Sequence, residues 1–196
     1  MDLGAKVCHL VLIGAISSLG CVGAETGPDG DQDVENVGEA EEDLTAYCND
    51  VLTWHGKWAN FESEVLTLVN QKRAAGATCG ATYYSPQPAL AFDDRLRCSS
   101  RKHSKDMGVN NFVSHTGSDG SLPWDRMTSA GYVWTYAAEN VAAGYSTPSA
   151  AVNGWMASTG HCANIMRATA KDFGVGYYYA HSATYKHYWT QNFGKQ

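Results

Sequence analysis

Several features that would name a chemistry outright are missing from this chain. Beyond its first twenty residues no apolar run is long enough for a transmembrane helix. There is no Cys-x-x-Cys pair, which argues against a thiolate metal site, and no Gly-x-Ser-x-Gly elbow of the kind many serine hydrolases use. No βαβ phosphate loop and no internal repeat are present. Positive charge is absent from residues 25–45, which carry Glu25, Asp29, Asp31, Asp33, Glu35, Glu39, Glu41, Glu42 and Asp43. With almost no large apolar residue, that stretch cannot bury enough surface to offset its ordering entropy, and its like charges repel and extend it. Residues 21–45 therefore read as an acidic tether.

Removing the tether changes the meaning of the net charge. The formal balance of the whole chain is −6, yet from residue 46 onward there are ten Asp or Glu and thirteen Lys or Arg, a balance near +3. That is too weak to argue for nucleic acid. The one basic cluster, Arg95, Arg97, Arg101, Lys102 and Lys105, has helical spacing and reads as a solvated helix face.

The N-terminus has the form of an export signal over residues 1–20: Lys6, then an apolar run from Val7 to Leu19 that is too short to span a bilayer. Ser17-Ser18-Leu19-Gly20-Cys21 has lipobox form, making Cys21 the acylated residue of a lipoprotein. Val22-Gly23-Ala24 is the competing site of ordinary secretory cleavage. The reading adopted is an exported envelope lipoprotein attached to a membrane through its N-terminal lipid, with residues 46–196 as the folded domain. Cys8 leaves with the signal, so four cysteines remain: Cys48, Cys79, Cys98 and Cys162. An even count in an exported chain argues for two disulfides, with three pairings open. Cys79–Cys98 closes the shorter loop and leaves Cys48–Cys162, and this pairing is the expectation.

Periodicity predicts a helix over Phe61–Ala75 with Asn60 as N-cap, ended by Gly76. A second helix should run from Asp93 or Asp94 to about Met107. A third falls over Leu122–Ala130, with Pro123 in its first turn and Gly131 past its end. Thr147-Pro148 opens a fourth, and Ser158 can cap a further turn through Asn164. Strands are expected over Asp172–Tyr179 and Tyr185–Phe193 as an antiparallel hairpin, with a third between Tyr132 and Val141. Gly174 and Gly176 should admit a closely packed neighbour. Helices before and between the strands of one antiparallel sheet give an α+β fold.

Three polar islands interrupt this core-forming sequence: Phe112-Val113-Ser114-His115, Ala138-Glu139-Asn140-Val141, and Trp155 through Met166 with Ser158, Gly160 and His161. Each carries a His or Glu able to move a proton or hold a metal. Together with Val69-Asn70-Gln71-Lys72-Arg73, His103 through Met107, Arg126 with Gly131-Tyr132, Phe173 through Gly176 and Tyr188 through Gly194, they stand in an order that resembles the CAP superfamily. This is the SCP domain of cysteine-rich secretory and pathogenesis-related proteins, in its bacterial form. The resemblance spans roughly residues 60–196. It implies an α-β-α sandwich, a central antiparallel sheet flanked by helices. It also implies a cavity lined by two His and two acidic residues that in some members holds zinc or another divalent cation.

Carried over by motif, His115, Glu139 and His161 match three of those four and form the implied metal set. The fourth, an acid, falls on Ser158. Each residue also has a plainer role: His115 can bond the glycine-rich loop after it, Glu139 can serve backbone amides, and His161 can pair with Glu139. His103 reads as a satisfied core histidine beside the cavity, and Gln191 as a residue at its edge.

Three functions follow from this reading. The first is a non-catalytic binding module whose His/Glu cleft takes a ligand or an envelope or extracellular partner. The second is a hydrolase using the same cleft, either metal-assisted at His115, Glu139 and His161 or dependent on Ser114 or Ser158. The third is a structural envelope protein. The incomplete acidic pair, the lipobox and the tether place the binding module first.

Overall fold

The computed structural model of the protein describes residues 44–196. The export signal, the acylation of Cys21 and all but the last two residues of the tether lie outside the described residues.

After a 3₁₀ turn at Ala46–Cys48, helix α1 spans Gly56–Ala75. It begins earlier than the apolar period suggests. His55, not Asn60, is the N-cap and accepts from the Lys57 amide, and the packed apolar stripe extends back to the partly buried Trp58, which meets Tyr177 edge-on. Gly76 closes the helix at φ 73°, as its sequence position predicts. A short ribbon follows, β1 (Ala77–Cys79) antiparallel to β2 (Thr82–Tyr84), and then β3 (Ala91–Phe92).

Helix α2 (Asp94–Val109) is capped by the Asp93 carboxylate, which accepts from the amides of Arg95 and Leu96. Helix α3 (Pro123–Ser129) has Pro in its first turn, and the Asp125 carboxylate accepts from the Leu122 amide. Strand β4 (Tyr136–Ala143) precedes α4 (Pro148–Ala157), which is capped by Thr147, and α5 (Thr159–Ile165). Strands β5 (Asp172–Tyr179) and β6 (His187–Lys195) complete the chain.

The main sheet runs β3-β5-β6-β4. Its long strands are antiparallel, and only the two-residue β3 runs parallel, against β5. Alternation along the strands builds the two sides of the sandwich. Phe173, Val175 and Tyr177 of β5, with Trp189 and Phe193 of β6, join Val65, Val69, Val152 and Trp155 in one core under α1 and α4. On the opposite face Gly174 and Gly176 let the α2 backbone settle directly onto β5: a Cβ at Gly174 would stand 2.1 Å from the Leu96 carbonyl carbon. Polar pairs seal the same interface, Ser104 donating to Thr190 and Asn192 to Ser99. The α-β-α sandwich is thus formed.

The disulfides correct the expected pairing. Cys79–Cys98 and Cys48–Cys162 do not form; the bonds are Cys48–Cys98 and Cys79–Cys162, with Cα–Cα separations of 5.7 and 5.5 Å. Packing overrides loop length here. The β1–β2 turn lies against α5, where a Cβ on Gly80 would touch Thr159, so Cys79 faces Cys162. Cys98 on α2 instead faces the lead-in, in a small cluster with Cys48, Val51 and Ala130.

The basic face of α2 is also less solvated than its spacing suggests. Glu62 of α1 is fully buried and accepts from Arg101 Nη2 at 2.7 Å and Arg97 Nη2 at 3.3 Å. Asp50 takes Lys102 and Lys105. No helix of the described residues is long and apolar enough to cross a membrane.

Candidate functional site

Three elements meet at the β4 edge of the sheet. Strand alternation turns Glu139 toward α2 and α3, while Asn140 turns toward α5. The loop between α2 and α3 carries His115. It is shaped by local side-chain bonds: Ser114 Oγ accepts from the Thr116 amide, Asp119 from the Ser121 amide, and Asp106 from the Ser118 amide. Gly120 takes φ 83° at its tip, a conformation glycine adopts without strain.

At the centre stands the Glu139 carboxylate, its side chain only 1% exposed. Arg126 of α3, itself 3% exposed, donates from Nη2 to Glu139 Oε2 at 2.7 Å. His115 Nδ1 lies 2.9 Å from the other oxygen, Oε1. A carboxylate facing a guanidinium accepts, so Nδ1 of His115 is the donor, and in the neutral ring that tautomer keeps the lone pair on Nε2. The His115 side chain is 52% exposed and that of Glu139 only 1%, so the imidazole is the exposed member of the pair. Arg126 also fixes the loop, donating to the carbonyls of His115 at 3.0 Å and Ser121 at 2.8 Å.

His103, fully buried on α2, supports the assembly from below. Its Nε2 donates to the Ser114 carbonyl at 2.7 Å and lies 4.0 Å from Glu139 Oε1. Its Nδ1 has no partner. Burial pushes the His103 imidazole below its ordinary value, and the nearby Glu139 only partly opposes this. His161 on α5 is also pushed down, first by burial and then by the neighbouring His115 ring.

A cavity of about 330 Å³ opens beside the His115–Glu139 pair. Its wall is apolar: Leu122, Pro123, Trp124 and Met127 from the start of α3, with Ala137 and Ala138 of β4. Trp124 is 46% exposed, an indole held at the mouth.

The structure thus brings His103, His115 and Glu139 together and distributes the other expected residues differently. His161 approaches His115 but does not line the cavity, and its carbonyl accepts from Asn140. Ser158 joins α4 to α5 as N-cap of the latter, without a capping bond from its side chain. Gln191 is fully buried, its Oε1 accepting from Asn140, so it lies beneath the seam and not at its edge. Among the described residues no serine hydroxyl is hydrogen-bonded to an imidazole, and Ser114 Oγ is turned to the Thr116 amide. Trp124 is a cavity residue that the sequence patterns left unnamed, while Arg126, Asn140 and Asn164 stood in matched segments without an assigned role. Arg126 stood in a segment that carries the resemblance, but its burial beside Met127 and its pairing with Glu139 are visible only in the fold.

A model of the cysteine-rich secretory protein family, CAP, matches residues 66–193. The chain belongs to that family. It is 33% identical over 133 residues to the uncharacterized protein YkwD of Bacillus subtilis strain 168, covering 68% of this chain and 46% of that one. An extracellular protein containing a SCP domain from Bacillus anthracis strain Ames superposes with a TM-score of 0.59 at 30% identity, over 70% of this chain and 41% of the other. An outer surface protein of Borrelia burgdorferi shares the fold at a TM-score of 0.55 and 19% identity, over 70% and 90% of the two chains. The chain spans less than half the length of the two Bacillus relatives.

The metal that the CAP resemblance implies is not matched by the residues this CAP domain supplies. Among the described residues no three His, Cys, Asp or Glu side chains are disposed to share an ion, so His115, Glu139 and His161 do not stand as a ligand set. Charge disfavours an ion there as well. Both Glu139 oxygens already accept hydrogen bonds, and one of them neutralises a buried guanidinium. Unit charges 4 Å apart interact by about 4 kcal/mol at an effective dielectric of 20, and a dication beside Arg126 would double that repulsion. Ser158 contributes no second carboxylate to offset it.

Proposed function

We propose that this CAP domain is a non-catalytic binding module, exported and held at an envelope surface by a lipid on Cys21, whose His115–Glu139 cleft takes a small amphiphilic ligand. The observation that carries this reading is the cavity itself. An apolar wall around Trp124 converges on the His115–Glu139 pair, of which the half-exposed imidazole is the accessible member. Ligand sites typically combine such a wall with few orienting polar atoms. The preferred ligand therefore joins an aromatic or aliphatic group to an N–H or O–H donor. Export is supported by the two disulfides, which persist in oxidising compartments, and by the extracellular and outer-surface descriptions of the two structural relatives.

The competing reading is a hydrolase at the same cleft. It rests on one observation, a histidine oriented by a buried carboxylate, which is half of a general-base arrangement. Among the described residues no serine hydroxyl is hydrogen-bonded to that histidine, and Ser114 Oγ accepts from the Thr116 amide instead.

Amide NMR shifts with indole-3-methanol and benzylamine as probes separate the two. Perturbations should map to Trp124, Ala137, Ala138 and His115 and vanish in Trp124→Ala. No perturbation there, with ester or peptide turnover that is lost in His115→Ala, would replace the binding module by the enzyme. Release of the protein by detergent but not by salt, abolished in Cys21→Ser, is the expected result for the anchor. Salt release of the wild type would remove it.

A further inference from the structure

The Arg126–Glu139 contact has the form of a replaced cofactor. A site that holds a dication must offer free oxygen lone pairs, an excess of negative charge and a location not already taken by a cation. Glu139 is the one carboxylate at this cleft, its charge already balanced by a buried guanidinium at 2.7 Å. We propose that Arg126 is the resident cation of the cleft: its guanidinium balances Glu139 in place of a divalent ion and, through Glu139, sets the orientation and tautomer of His115, so that this CAP domain works without metal.

Three contacts argue for this over a merely structural ion pair. From the same Nη2 that binds Glu139, Arg126 reaches the His115 carbonyl at 3.0 Å, and from Nη1 it reaches the Ser121 carbonyl at 2.8 Å. One cation on α3 therefore ties strand β4 to two points of the loop that carries His115, at His115 itself and at Ser121, the task a bridging ion would perform. The third contact is the 2.9 Å bond from His115 Nδ1 to the second Glu139 oxygen. With both its oxygens occupied, the carboxylate can orient the ring only as the Nδ1–H tautomer, which leaves Nε2 an acceptor. An outer partner that fixes tautomer and ring direction is what metal-bound histidines require, and here the orienting group itself is anchored by an arginine. Arg126 is thus a positioning residue acting through Glu139. The proposal holds whether or not the cleft binds an amphiphile, because its test needs no ligand.

The test is a zinc chloride titration by calorimetry on the oxidised full-length chain, comparing wild type, His115→Ala, Arg126→Gln and Arg126→Lys. Exposed histidines elsewhere give a background common to all. Wild type and His115→Ala should match. Arg126→Gln should gain a site at least tenfold tighter than that background, lost again when His115→Ala is added. Arg126→Lys keeps the charge and should gain nothing. In parallel, ¹⁵N NMR of neutral His115 should show the Nδ1–H form in wild type and a mixture of tautomers in Arg126→Gln. Wild-type zinc binding at least tenfold tighter than in His115→Ala would overturn the proposal even if every Arg126 variant failed to fold. A folded Arg126→Gln without the gained site, or a zinc-binding Arg126→Lys, would overturn it equally.

Discussion

Gly176 of β5 lies directly under the Arg101 amide of α2: a Cβ placed on Gly176 would stand 2.4 Å from that nitrogen. Backbone meets backbone there, so no flexible side chain can move aside. Gly176→Ala must lift the helix that carries Glu62's partner Arg101 and the buried His103. We expect a loss of about 1–3 kcal/mol or more in urea denaturation, the usual cost of overpacking. Gly160 in α5 has nothing within 4 Å of its virtual Cβ, so Gly160→Ala should leave stability unchanged or raise it by up to about 1 kcal/mol. Equal losses at both positions would contradict this reading of the interface.

Two ion pairs with nearly equal distances should differ sharply in worth. Arg126–Glu139 and Lys102–Asp50 are both 2.7 Å long, but the first has side chains 3% and 1% exposed and the second 24% and 47%. Arg126→Met strands a buried carboxylate and should cost about 3–5 kcal/mol. Lys102→Met should cost less than about 1 kcal/mol, and that cost should fade in added salt. Chemical denaturation at low and high sodium chloride checks both.

The contrast also shows which parts of this molecule could be read from its residues. Helix ends were legible because their determinants are local: Asp93 and Thr147 as caps, Pro123 and Pro148 in first turns, Gly76 and Gly131 as stops. The close approach at Gly174 and Gly176 was legible because glycine in a strand has few other uses. Strand β3 was not, since two residues pairing parallel to β5 from across the chain leave no period to detect. His115 and Glu139 advertised themselves by type. Arg126 did not, because what makes it part of the site is a partner thirteen positions away on another element.

Disulfide pairing failed for the same reason and yields its own prediction. Non-reducing peptide mapping should find Cys48 joined to Cys98 and Cys79 to Cys162. With sequence separations of 50 and 83, the chain-entropy relation assigns each crosslink about 4 to 4.5 kcal/mol. The paired Ser variants should nevertheless differ in character. Losing Cys79–Cys162 frees the ribbon from the main core, since both residues lie in that cluster, and should lower global stability. Losing Cys48–Cys98 frees the lead-in, which packs in a small separate cluster, and should raise amide exchange over residues 44–54 before the rest. Uniform exchange changes in both variants would refute the distinction.

Acid should destabilise this domain in a window set by its buried histidine. His103 is fully buried, and its Nε2–H is committed to the Ser114 carbonyl, so a second proton must go to Nδ1, which has no acceptor. Burial lowers its pKa from the ordinary 6.5; Glu139 and Asp106 oppose the shift while Arg126 reinforces it. In the unfolded chain the same ring takes up its proton near 6.5. Below that pH the unfolded state therefore binds more protons than the folded one, and stability rises with pH. The contribution of the neutral ring is complete above about pH 6.5 and is lost as pH falls through the depressed folded value. His161, lowered by burial and by His115, adds in the same direction. Urea midpoints measured from about pH 7.5 down to about pH 5 should fall. His103→Gln, whose amide can still donate to the Ser114 carbonyl, should show a shallower fall over the same range. An identical slope in the variant would assign the acid sensitivity to other groups and leave His103 as packing alone.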